Sequence, residues 1–211
     1  EAFRLALVVR SQSELLHKLR AFGQGEPVLD LMIGEAMAAP PRVAMLFTAQ
    51  GAQYIGMGRR LYETEPVFRA AVDRCAERLS SELARPLRDV MWAAAGTADA
   101  TLLYRTAYTQ PALFSMEYAL VELWRSVGVE PALVIGHSFG ELVAACVSGV
   151  LSLDHALRLV AARGRLMEAL PPGGAMFAVA TSEANVAPRL VPWGERAALA
   201  AINGPSDVVI S

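Results

Sequence analysis

The run from Ala132 to Val150 constrains the fold of this 211-residue chain more than any other segment. Four apolar residues, Ala132 to Ile135, lead directly into Gly136-His137-Ser138-Phe139-Gly140, and an apolar stretch from Leu142 to Val150 follows. A buried strand, G-x-S-x-G and a helix in that order are the setting of a nucleophile elbow. The sharp turn pushes the serine side chain outward, and the helix directs its free N–H groups and positive dipole end at whatever is bound there. A chance match in a Gly- and Ser-bearing turn is the alternative to the bare pattern, and the strand and helix context argues against it. The helix from Leu142 to Val150 is expected to be buried nearly all round.

The segments on either side read as α/β. Residues 3 to 9 are apolar and suggest a buried strand. Ser11 and Glu14 have the S-x-x-E spacing of a helix start, and Leu15, Leu16, Leu19 and Phe22 share one face before Gly23 stops the run. From Gly25 to Arg42 no period stands out and the stretch ends Ala-Ala-Pro-Pro, so residues 1–42 read as a linker region lying on a neighbouring surface. Val43 to Thr48 is a strand, followed by a glycine-rich loop, Gln50-Gly51-Ala52-Gln53 with Gly56 and Gly58, where backbone can approach a ligand. Pro66 sits at a first helical position, with Phe68, Val72, Cys75 and Leu79 at helical spacing behind it. A further helix is expected to open at Thr109-Gln110-Pro111, with Leu113, Met116, Leu120 and Leu123 inward. A helix capped by Ser152 or Asp154 runs to about Leu170, where Pro171-Pro172-Gly173-Gly174 breaks it.

Beyond the break the pattern becomes strand (Ala175 to Thr181), helix (Ser182 to about Leu190), strand (Ala197 to Ile202), an Asn203-Gly204-Pro205 turn, and strand from Val208. This is the opening of a ferredoxin-like β-α-β-β-α-β unit without its last helix and strand. A sheet left in that state exposes an unpaired edge, so the sequence is expected to be a fragment of a longer polypeptide. Residues 43–174 are then part of a large subdomain, and 175–211 the start of a small one.

Composition narrows the function. Hydrophobic residues are 54% of the chain and charged ones 19%, enough for a real core and unlike a disordered segment or a coiled coil. Nineteen Lys plus Arg against 21 Asp plus Glu leave a formal charge of −2, too balanced for a polyanion surface, so nucleic acid is not expected as partner. Cys75 and Cys146 stand far apart with no CxxC pair, which suggests neither a disulfide framework nor a metal site and fits a reducing cytoplasm. The apolar run from Leu5 to Val9 is too short for a signal peptide or a membrane span.

Four motifs carry a resemblance. Gln50-Gly51-Ala52-Gln53 with Gly56-Met57-Gly58, then Tyr108-Thr109-Gln110-Pro111-Ala112-Leu113, then Gly136-His137-Ser138-Phe139-Gly140-Glu141, then Arg163-Gly164-Arg165 follow the order of the malonyl-CoA:acyl carrier protein transacylase family. The sequence most resembles acyltransferase domains of modular type I polyketide synthases, with residues 1–42 similar to the region after a ketosynthase. The resemblance implies an α/β-hydrolase-like large subdomain with a ferredoxin-like small subdomain, the latter incomplete here. It implies that Ser138 attacks an acyl-CoA thioester, and that the acyl group passes to the phosphopantetheine thiol of an acyl carrier protein. No bound cofactor is expected. The backbone N–H groups of Gln50 and Phe139 are the implied oxyanion donors.

Substrate-binding roles are implied for Arg163, Gln110 and His137. An arginine at position 163 would form a bidentate pair with a free acyl carboxylate, which a planar donor fork suits. Arg158 and Arg165 share its helix, and only the Arg-Gly-Arg match singles out Arg163. Gln110 is expected to line the pocket, with a helix-capping role beside Pro111 as the alternative. His137 directly precedes Ser138, so it is expected to shape the serine turn by hydrogen bonding and not to act as base. His17 and His155 read as surface or capping residues. The family draws its base from a histidine after the small subdomain, which would fall beyond Ser211. An apolar residue such as Phe139 after the nucleophile accompanies malonyl selection in the family, and its side chain is expected to border the acyl pocket. A serine hydrolase of the lipase or esterase kind and a non-catalytic scaffold piece are the competing readings.

Overall fold

In the computed structural model, which describes residues 2–37, 39, 41–171 and 173–211, the chain opens with strand β1 (Phe3–Leu7), helix α1 (Gln12–Gly23) and strand β2 (Leu31–Glu35). Glu1, and the Ala38, Pro40 and Pro172 on which the linker end and the Pro-Pro-Gly-Gly break partly rest, lie outside the described residues. The helix start follows the sequence: Ser11 Oγ accepts from the Glu14 N–H at 3.2 Å, and the Glu14 carboxylate accepts from the Arg10 N–H at 2.8 Å. One expectation fails in this region. β1 is a strand but is not buried, because its antiparallel pairing with β2 satisfies the backbone without adding a covering layer, and Phe3 is 76% exposed. The stretch from Gly25 to Arg42, in which no period stands out, contains strand β2 at Leu31-Met32-Ile33-Gly34-Glu35, too short and too irregular in polarity to show one.

The core gathers around strands β3 (Val43–Phe47) and β4 (Pro131–Gly136) and helices α2 (Arg59–Thr64), α3 (Pro66–Leu79), α4 (Leu87–Met91), α5 (Ala98–Leu102), α6 (Thr106–Ser126), α7 (Gly140–Val147) and α8 (Leu153–Glu168). α3 buries Phe68, Val72, Cys75 and Leu79, the face its spacing predicts. α6 starts three residues earlier than expected, at Thr106, with Pro111 inside it. The start is fastened from outside: Glu168 Oε2 accepts from the Ala107 N–H at 2.9 Å, and Thr109 Oγ1 donates to Leu103 O at 2.6 Å. Those contacts outweigh the one backbone bond that a proline at the sixth helical position forgoes. α7 is not buried all round, since only Gly140, Val143 and Val147 are buried, Glu141 is exposed and the other residues stand half-buried at the margin of the core.

β3 and β4 pair in parallel, with Phe47 opposite Gly136. The two strands therefore end level, and the loops that follow them, toward Gln50 and toward Ser138, leave the same edge. Ligands of open α/β sheets bind outside that carboxyl edge. After α8 come β5 (Phe177–Val179), α9 (Glu183–Leu190), a 3-10 segment (Val191–Arg196), β6 (Leu199–Gly204) and β7 (Asp207–Ile210). The sheet order is β5-β7-β6 with both pairings antiparallel, the arrangement of a split β-α-β unit.

Candidate active site

Ser138 is the one described residue besides Asp30 that is not glycine and has positive φ, at +56°. An L-residue in the left-handed region is strained, and such strain persists only where the surroundings enforce it. Here close backbone contact does so. A Cβ on Gly136 would lie 2.2 Å from the Gly140 carbonyl carbon, and one on Gly140 would lie 2.6 Å from Thr48 O and 2.7 Å from Phe47 O. The two glycines of G-x-S-x-G thus let the turn close on itself and on the end of β3. The His137 N–H donates to Phe47 O at 3.1 Å, locking the elbow to that strand through backbone. The side chain of Ser138 is left exposed at the start of α7.

Arg163 projects from α8 to the same point. Its Nη2 donates to Ser138 Oγ at 3.1 Å, and its Nη1 is buried with no hydrogen-bond partner among the described residues. Arg165 instead pairs with Glu82 at 3.4 Å, and Arg158 is exposed beside Arg78 and Asp154, so geometry separates Arg163 from its neighbours. Gly164 makes the placement possible: a Cβ there would lie 2.8 Å from Thr106 O, so α8 rides directly on the start of α6.

Gln110 lies inside α6 and is 1% exposed, which rules out the capping role. Its Nε2 reaches Gln50 Oε1 and Met167 Sδ, both at 3.4 Å, while its Oε1 has no partner among the described residues. Gln50 Nε2 in turn donates to Thr106 Oγ1 at 3.3 Å. Hydrogen bonds thus join Gln50, Gln110 and Met167 in one set and Arg163 and Ser138 in another, and the two sets meet along α8, where Arg163 and Met167 are one turn apart. Met167 escaped the sequence reading, although its position four residues after Arg163 puts both on one helix face.

Neither the Gln50 nor the Phe139 N–H donates to another group among the described residues, so both are free for an anion. The Phe139 side chain, expected to border the acyl pocket, is wholly buried among core residues and offers no surface to a ligand. Its backbone stands at the elbow and its ring anchors the elbow from below. The histidines are exposed: His137 contributes its backbone bond, and the His155 N–H donates to Ser152 Oγ at 3.2 Å at the start of α8. Burial pushes the Cys75 thiol up to about 12 and that of Cys146 to about 11, which leaves both inert as nucleophiles at neutral pH. Among the described residues no three His, Cys, Asp or Glu side chains gather to hold a metal, and no helix is long and apolar enough to cross a membrane.

The site also contains a group that the sequence reading missed. Glu117, on α6 and 8% exposed, accepts at a single oxygen from both the Thr48 N–H (2.9 Å) and Thr48 Oγ1 (2.6 Å). Its other oxygen has no partner among the described residues, and burial holds its carboxyl above the usual carboxylate range.

Comparison with known proteins gives a consistent answer. The family described as the acyl transferase domain matches residues 44–211. The chain is 48% identical over 210 residues to polyketide synthase GfsA of Streptomyces halstedii, covering 99% of this chain and 3% of that synthase. It is 45% identical over 208 residues to the phenolphthiocerol synthesis polyketide synthase type I Pks15/1 of Mycobacterium marinum, covering 99% of this chain and 10% of that protein. Among solved structures, the acyltransferase domain from the second module of the salinomycin polyketide synthase superposes with a TM-score of 0.85 at 47% identity, over 99% of this chain and 48% of that one. The chain therefore spans about half of a solved acyltransferase domain and a small part of the synthases.

Proposed function

The chain belongs to the acyl transferase domain family, and from that premise we propose that it carries the serine-bearing part of a polyketide synthase acyltransferase, loading an extender acyl group, malonyl, onto an acyl carrier protein. The observation that carries the reading is the hydrogen bond from Arg163 to Ser138 at the end of a parallel strand pair, with unused N–H groups on both loops. A lipase-type hydrolase has no need of a guanidinium beside its nucleophile, whereas a transferase of dicarboxylic acyl groups does. A scaffold piece has no need of a strained, exposed serine.

In the first half-reaction Ser138 Oγ attacks the thioester carbon and gives up its proton to a base. The carbonyl oxygen takes the negative charge and is met by the N–H groups of Gln50 and Phe139. Collapse expels the CoA thiolate, which is protonated as it leaves, and the acyl group remains as an ester on Ser138. In the second half the phosphopantetheine thiol of the carrier protein attacks that ester, passes its proton to the serine oxygen through the base, and leaves as the new thioester. Arg163 holds the acyl carboxylate through both halves. Its free, buried Nη1 and the Nη2 now on Ser138 supply the two donors of a bidentate pair. The resemblance assigns the base to a histidine, and to the partners it adds a ketosynthase.

Incubation of the full-length polypeptide with malonyl-CoA should add one malonyl mass at Ser138, and addition of a phosphopantetheinylated carrier protein should discharge it. Transfer to water and not to the carrier would favour the hydrolase; absence of any adduct would favour the scaffold. Malonyl selection is tested by competition with methylmalonyl-CoA, and a clear methylmalonyl preference would refute it.

A further inference from the structure

The last residues of β3 are held from two sides. On one side the elbow presses against them: the His137 N–H bonds Phe47 O, and the Gly140 backbone lies against the Phe47 and Thr48 carbonyls. On the other side stands α6, whose Glu117 is the acceptor for both donors of Thr48. Thr48 is two residues before Gln50, and the segment between them is loop without ladder bonds. Thr48 is consequently the hydrogen-bonded backbone anchor nearest before the Gln50 N–H, with Ala49 alone between them. Its side chain is tied separately, by Thr106 and Gln110.

We propose that Glu117 is a positioning residue for the oxyanion loop, acting through Thr48 to aim the Gln50 N–H at the acyl oxygen held over Ser138. The proposal rests on the acyltransferase reading above and deepens it. A carboxylate in a nearly closed site is an expensive group to retain for packing alone, since a leucine would fill the space without an unpaired oxygen. What it supplies that an apolar side chain cannot is one acceptor shared by an N–H and an O–H of the same residue. That pair of hydrogen bonds fixes both the peptide plane and χ1 of Thr48. Burial pushes the carboxyl above its usual range, and whether charged or neutral it keeps an oxygen that accepts from both donors. A glutamine at this position presents the same carbonyl.

The test uses the full-length polypeptide in rapid-quench acylation by malonyl-CoA, read by intact mass across a range of donor concentrations, with melting temperature recorded for each variant. Glu117→Gln is expected to acylate within about threefold of wild type. Glu117→Ala should lower the maximal rate by about 10 to 100-fold, a fraction of the ~10² to 10³-fold attached to losing an oxyanion donor outright, with half-saturation moved by no more than about twofold. Thr48→Val, which keeps the N–H bond and loses the hydroxyl one, should fall between the two. Adding it to Glu117→Ala should cost little more, because both changes break one linkage. A residue that only supported the fold would lower melting temperature and leave the rate of the folded fraction unchanged. Folded Glu117→Ala with wild-type maximal rate, or a loss confined to half-saturation, overturns the proposal. If Glu117→Ala does not fold, Thr48→Val at the wild-type rate overturns it equally. Failure of the wild-type protein to be acylated by any acyl-CoA overturns the functional reading itself, whereas acylated wild type with unaffected variants overturns this proposal alone.

Discussion

Arg163 Nη2 donates to Ser138 Oγ at 3.1 Å, so the arginine rests against the serine proposed as nucleophile. A guanidinium has no lone pair to receive the serine proton. The contact fixes the hydroxyl without activating it, and a carboxylate, with two charged acceptor atoms, is the better partner for the same fork. Binding of a dicarboxylic acyl donor would thus transfer Arg163 from the serine to the substrate and release the hydroxyl for attack.

Arg163→Ala should therefore lower kcat/KM for malonyl-CoA by about 10²-fold while affecting acetyl-CoA much less. Arg163→Lys should recover little, because an ammonium lacks the planar fork. Parallel acylation rates with the two donors check this, and equal losses for both would remove the carboxylate role.

Ser138→Ala should abolish the acyl-enzyme and change stability by less than about 1 kcal/mol, since the exposed hydroxyl supports no buried contact. Ser138→Gly should raise stability by about 1 kcal/mol, because glycine tolerates the +56° φ without strain. Intact mass reads the first effect and chemical denaturation the second; an acyl adduct on Ser138→Ala would sink the nucleophile assignment.

Gly164→Ala sets two effects against each other. Helix propensity favours alanine by about 1 kcal/mol. The added methyl would lie 2.8 Å from Thr106 O and 3.1 Å from Ala107 Cα, both backbone atoms that cannot rotate aside. Overpacking against backbone costs about 1–3 kcal/mol, so the clash should win and α8 should move away from α6, carrying Arg163 with it. A lower melting temperature together with a weakened malonyl preference over acetyl is the expected result; a more stable protein would show that α8 does not ride on α6 as described.

Glu117 gives a pH signature. Its carboxyl is raised by burial, so between about 4.5 and its raised value the folded protein binds more protons than the unfolded chain. Stability contributed by this group is complete below that window and is lost as pH rises through it. Glu117→Gln does not titrate, so the stability of wild type relative to the variant should decline across the window. Denaturation curves for both proteins at several pH values from 4 upward, in steps of about one unit, measure it; parallel curves would show that Glu117 titrates normally.

The elbow was legible because everything that makes it is local: an apolar strand, two glycines and an apolar helix within about twenty residues. The pairing of β3 with β4 was not, for it joins segments some ninety residues apart, and only that pairing brings Gln50 to Ser138. Pro111 misled the reading of α6, because the contacts that let the helix start before it come from Glu168 on another helix and from the Thr109 side chain. α2, α4 and α5 are five or six residues long and display too little of a period to be seen. Glu117 did carry a signal. It sits four residues after Leu113 and three before Leu120, on the inward face, where a carboxylate needs a partner to be tolerated.

The order of the small sheet bears on how the protein is made. β7 is the last of its three strands to be synthesised, yet it lies between β5 and β6 and supplies the ladder for both. While residues 177 to 204 emerge from the ribosome, their two strands have no sheet partner within this unit, and Phe177 and Ile202, which stay largely exposed even once β7 has paired with both strands, have nothing beside them. At roughly 5–20 residues per second that interval lasts a few seconds, long enough for a chaperone or a neighbouring nascent chain to find them. Mutations that weaken β7 should for that reason act first on the yield of soluble protein and only later, if at all, on the measured stability of what survives.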